Sequence, residues 1–136
     1  MCSITFIAQT SMKNLPLSIL RAVVAIIFIS HGVARLVHWS IPEFANFLNT
    51  QGLKFGTVLA WVVTMGELLF GMLLLVGFKA RISIVFHFIV VSLGIVFLHF
   101  KNGWFVVGHG SNGIEFSLLL LATLLYLFFQ KGKLHW

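Results

Sequence analysis

The stretch MGELLFGMLLL, residues 65–75, decides the fold class. Apart from Glu67 it contains only Met, Gly, Leu and Phe, and the wider segment 57–77 has no second ionisable group. At about 1.5 Å per residue a helix of that length crosses a bilayer core of roughly 30 Å. A carboxylate at the centre of such a span costs about 2.5–3.5 kcal/mol on insertion scales. Glu67 is therefore expected to face protein and to have a polar partner there.

The whole chain fits this reading. Of its 136 residues 60% are hydrophobic and 9% charged, and the mean hydropathy is +1.06. Soluble chains carry about 25% charged residues, so the composition is that of an integral membrane protein forming a single domain over residues 1–136. The net charge of +6 does not point to nucleic acid, because the Lys and Arg residues sit mostly at the ends of apolar runs, where they set topology. There is no Asp, and the carboxylates are Glu43, Glu67 and Glu115. The lone cysteine, Cys2, leaves the chain without an internal disulfide, a C-x-x-C pair or a thiolate metal cluster of its own. Met12 is an alternative start to Met1. Arg21 interrupts the apolar run that follows, which reads as a retained helix, not a cleaved signal.

Four apolar segments, 16–37, 57–77, 81–100 and 113–129, predict an all-α bundle of four transmembrane helices. Pro16 suits a first helical turn. Between the first two segments, Ser40-x-x-Glu43 has the capping-box pattern with Pro42 in the first turn. Phe44, Phe47 and Leu48 then share a face, and Gly52 supplies a stop. This predicts a short amphipathic helix over 41–51 lying in the interface beside Trp39. Lys13, Lys79, Arg81, Lys131 and Lys133 fall on one side of the layout, against Arg35, Lys54 and Lys101 on the other. The positive-inside rule puts both termini in the cytoplasm.

The polar residues form two groups by depth. Arg21, Glu67 and His87 are placed for a buried cluster, with Glu67 facing Arg21, as candidates for ligand binding or a proton relay. Small and polar stripes support the inward rotation: Ser18, Arg21, Ala25 and Gly32; Thr64, Glu67 and Gly71; Ser83, His87 and Gly94; Glu115, Ala122 and Tyr126. The competing reading makes the ion pair a packing device that sets helix register. His31, Arg35, His38, His99, His109 and Glu115 gather at the outer end, where Asn112-x-x-Glu115 also reads as a helix cap. No spacing matches a metal signature, so no metal site is expected.

Taken together, "LRAVVAIIFISHGVARL" (20–36), "GELLFGMLLLVGFKAR" (66–81) and the glutamate after "GHGSNG" (108–113) resemble the DoxX family of small bacterial membrane proteins over about 15–129. Arg21, His31-Gly32, Arg35, Glu67, Gly71, Gly77, Arg81 and Glu115 match the family pattern, although the position of Arg35 is more often lysine. The resemblance implies a four-helix protein of the bacterial inner membrane. Relatives include the small subunit of a thiosulfate:quinone oxidoreductase and membrane anchors of thiol-handling or oxidative-stress enzymes. The expected role is a lipid-embedded subunit of a redox complex, not an enzyme on its own. It would have a redox-enzyme partner and a non-covalent quinone as the cofactor, with homo-oligomerisation left open. A non-catalytic chaperone or assembly scaffold is the alternative, and a small transporter a weaker one.

Overall fold

A computed structural model describes residues 2–108 and 112–130, with side chains from Leu15 onward. Among the described residues five α-helices follow in order: α1 (Cys2–Val37), α2 (Ile41–Thr50), α3 (Gly56–Val76), α4 (Ala80–Gly94) and α5 (Glu115–Phe129). Beyond α4 the chain continues through a π-helical turn, Ile95–His99, and a 3-10 turn, Phe100–Asn102. Three stretches have membrane-spanning length and hydropathy: Leu15–Val37, Gly56–Val76 and Ala80–Asn102. The fourth, α5, has 15 residues, about 22 Å of helix, shorter than a typical hydrocarbon core.

α1 packs chiefly on α3, α3 on α2 and α4, and α4 on α5. α1 and α3 run antiparallel, and three glycines record their register. A Cβ on Gly32 would stand 2.8 Å from Leu68 Cγ, one on Gly71 would stand 2.8 Å from Ile29 Cγ1, and Gly77 lies beneath the Arg21 guanidinium. At Gly32 the missing side chain lets the two backbones approach, the role small residues have between membrane helices. Gly77 ends α3 in the left-handed region at φ 80°. Its N–H donates to the Leu74 carbonyl and that of Phe78 to Leu73, the Schellman arrangement that only glycine adopts cheaply.

One core joins Val24, Ala25 and Phe28 of α1 to Leu74, Ala80, Ile84, Leu120, Leu124 and Leu127. A second seats Ile41, Ala45 and Leu48 of α2 on Ala60 at the start of α3. Large apolar side chains such as Ile26, Val62, Leu69 and Ile89 point outward, as they should where lipid is the solvent.

Several expected details differ. α1 begins at Cys2, so Pro16 lies inside it, not in its first turn. Ser40 does cap α2, but without a side-chain hydrogen bond, and Glu43 is exposed; Pro42 starts the helix without the box. The stripe assigned to the last helix is also wrong, because Ala122 and Tyr126 are exposed while Ser117, Leu120, Leu124 and Leu127 face inward. α5 is apolar almost all round and has no polar face from which to read its rotation. Ser18 is likewise exposed, whereas Ala25 and Gly32 are buried.

Candidate functional site

Glu67 is 3% exposed, and its partner is Arg35. The two side chains form a two-point ion pair, Arg35 Nη1 to Glu67 Oε2 and Nη2 to Oε1, the second contact at 3.4 Å. The pairing expected with Arg21 is not made. The reason is the lean of helical side chains, whose Cα–Cβ bonds tilt toward their helix's N-terminus. With α1 and α3 antiparallel, Arg35 leans down into the bundle and Glu67 leans up toward it. Arg21 leans the other way, onto Gly77. Fourteen residues separate the two arginines, roughly 21 Å along the helix.

The ion pair lies in the wall of a partly open cavity of about 420 Å³ lined by residues of all five helices and the π-helical turn. Phe44 and Phe47 of α2 form part of the wall, and the Arg35 guanidinium stands 4.7 Å from the Phe44 ring centroid. That cation–π contact, worth about 0.5–2 kcal/mol, fixes the fork that holds Glu67. His31, a turn below Arg35, and His99, at the end of the π-helical turn, also line the space, with Ser117 and Asn112. A π-helical turn in such a wall is a common feature of functional sites.

The imidazoles are held in one tautomer. His31 Nδ1 is 2.8 Å from the Ile27 carbonyl, His99 Nδ1 is 2.7 Å from that of Asn112, and His87 Nδ1 is 2.8 Å from that of Ser83. A carbonyl only accepts, so each Nδ1 carries the proton and donates it. Nε2 of His31 and His99 is left unprotonated.

His87 is fully buried but is not in the wall. Its ring stacks on Phe28 at 3.9 Å, with Phe86 edge-on at 5.5 Å. Phe28 does line the cavity, so the imidazole sits behind it, with Nε2 buried and unbonded. The expected cluster of Arg21, Glu67 and His87 is thus divided: Glu67 is at the cavity, His87 one layer behind, and Arg21 at the other end of α1.

Of the outer group, His31, Arg35 and His99 converge on the cavity. Glu115 does not. It accepts the Val106 N–H at 2.8 Å, and with the Gly113 N–H to Phe105 carbonyl and Ile114 N–H to Gly103 carbonyl bonds it closes the loop before α5. His38 is exposed, and His109 lies outside the described residues. Among the described residues no three His, Cys, Asp or Glu side chains converge as metal ligands would. Sequence reasoning missed the aromatic wall supplied by α2. Its signal was present: Phe44 and Phe47 lie next to buried Ala45 and Leu48, on the flank of the face that docks on α3.

Residues 17–100 match the family model for DoxX. The chain belongs to the DoxX family. The matched segment contains Arg21, His31, Arg35, Glu67, His87 and His99 and ends before Glu115 and α5, so the cavity's polar wall lies largely within the part this protein shares with the DoxX family. No curated protein and no solved structure matches the chain.

Proposed function

We propose that this DoxX protein is the membrane subunit of a redox assembly and that its cavity receives the headgroup of a quinone-class amphipath. The observation that carries the reading is the Arg35–Glu67 pair set in an apolar wall beside two imidazoles with free Nε2 edges. A quinone ring offers two carbonyl acceptors and a flat apolar face. Arg35 supplies donors and Phe44 and Phe47 supply surfaces for the ring, while the unprotonated Nε2 edges of His31 and His99 would accept from the hydroxyls of the reduced headgroup. The volume falls within the range of about 300–1,000 Å³ usual for small-molecule pockets. Electrons would come from a partner enzyme, and Glu67 or an imidazole would carry protons to the reduced headgroup. The protein would sit in a bacterial cytoplasmic membrane with α5 as its fourth crossing and both termini inside, in keeping with the basic residues near Lys79 and Arg81.

The test is native mass spectrometry of the protein gently extracted from its own membrane, with parallel solvent extraction of bound small molecules. A retained quinone that is lost, per mole of folded protein, in Glu67→Gln is the expected result. Retention of phospholipid alone, with a varied set of unrelated membrane proteins, would favour the assembly-scaffold role.

A further inference from the structure

At the end of the bundle remote from the cavity, the described residues gather basic side chains. Arg21 lies six residues inside the Leu15–Val37 span, about 9 Å below its start. The guanidinium covers Gly77 so closely that a Cβ there would meet Nη1 at 2.7 Å. Its Nε is buried and bonds to nothing. Lys79 follows two residues after Gly77, exposed, and Arg81 stands in the first turn of α4 with its guanidinium 5.9 Å from the Phe128 ring centroid.

All three carboxylate side chains of the chain are elsewhere. Glu67 is held by Arg35, Glu115 accepts from Val106, and Glu43 lies in the first turn of α2, just beyond the far end of α1. Among the described residues no carboxylate reaches the Arg21 end. The C-terminus of α3 presents the negative pole of its dipole there. However, its Leu73 and Leu74 carbonyls already accept from Phe78 and Gly77. A cation within the hydrocarbon depth costs several kcal/mol unless it is paired or reaches a polar layer, and among the described residues no carboxylate side chain is placed to pair with Arg21.

We propose that the Arg21 end binds the phosphate of an anionic phospholipid, held from within the span by Arg21 and from the surface by Lys79. Basic recesses between membrane helices are suited to such headgroups. Depth selects a lipid over a soluble anion: Arg21 is below the membrane surface, and Ile19, Phe78 and Ile82 around it are about half exposed, as surfaces for acyl chains. The site is separate from the cavity and does not depend on what the cavity holds.

The test compares lipid retention by the purified full chain after exchange into phosphatidylglycerol or phosphatidylcholine of matched chains, read by native mass spectrometry and by lipid-dependent thermal stabilisation. The expected result is retention of phosphatidylglycerol about tenfold above phosphatidylcholine. This preference would fall stepwise in Lys79→Gln and Arg21→Gln and stay unchanged in Lys54→Gln at the other end. Should Arg21→Gln not fold, the wild-type comparison and Lys79→Gln decide. Equal retention of the two lipids, or a preference unaffected by either substitution, would overturn the proposal. Stabilisation by inorganic phosphate equal to that by phosphatidylglycerol would assign the site to a free anion and also overturn it.

Discussion

Arg35 and Glu67 meet across the α1–α3 interface as a two-point ion pair, with the carboxylate side chain 4% exposed and the arginine 18%. The pair answers the cost of a carboxylate in the middle of α3 and does so at the wall of a cavity, where the same two charges are available to a ligand. Removing one partner leaves the other charged and poorly solvated, a loss of about 3–5 kcal/mol for buried pairs, whereas replacing both by apolar residues is often neutral. Arg35→Met alone is therefore expected to lower the unfolding midpoint in detergent far more than Arg35→Met combined with Glu67→Leu. A double-mutant cycle by thermal unfolding checks this. Additive losses would show that the two side chains do not support each other.

Much of this was legible in the residues. The length and polarity of 57–77 indicate both the span and the inward rotation of Glu67. Gly32, Thr64, Ser83 and His87 also fall on buried faces as their spacing predicts. The partner of Glu67 is not legible in the same way, because spacing and depth point to Arg21 whereas the structure pairs Glu67 with Arg35. The lean of each side chain toward its own N-terminus, combined with antiparallel register, decides it. The rotation of α5 had no such handle, since the apolar residues go almost all the way round. Nothing in Ile95–His99 marks a change from α to π pitch, so the turn that brings His99 to the wall is visible only in the fold.

The close approach at Gly32 gives a second prediction. In Gly32→Ala the new methyl would stand 2.8 Å from Leu68 Cγ and 3.2 Å from the Thr64 carbonyl. α1 and α3 must separate or Leu68 must change rotamer, at about 1–3 kcal/mol for overpacking of this kind. Shortening the opposing side chain removes most of the conflict. Gly32→Ala with Leu68→Ala should thus recover part of the thermal stability lost in Gly32→Ala, even though Leu68→Ala alone is destabilising. Failure of any rescue would mean that the carbonyl, not Leu68, sets the spacing.

Topology is open to a direct chemical check, because Cys2 is the sole cysteine. With the N-terminus in the cytoplasm, a membrane-impermeant maleimide should label Cys2 in inverted vesicles and not in intact cells. In a Cys2→Ser background, Lys101→Cys should show the opposite pattern, since Lys101 is the last residue but one of the third span, Ala80–Asn102, and is exposed at its far end, where its ammonium donates to Gln51 Oε1 at 3.2 Å. Labelling of Cys2 from outside the cell would reverse the orientation.

Gly94 offers a way to close the cavity without cutting into the core. It lines the space, and a Cβ placed on it would meet only His99 Cδ2, at 4.0 Å. A larger side chain therefore has room to grow, and replacing a helical glycine removes a backbone-entropy penalty of about 0.5–1 kcal/mol. Gly94→Leu is expected to raise the unfolding midpoint while abolishing retention of the quinone-class ligand proposed for the cavity in native mass spectrometry. The opposite signs matter. A substitution that merely damaged the fold would lower both stability and ligand retention, and one directed at the wrong cavity would raise stability and leave ligand retention as it was. Only a ligand seated between Gly94, His99 and the Arg35–Glu67 pair produces a more stable protein that has lost its guest.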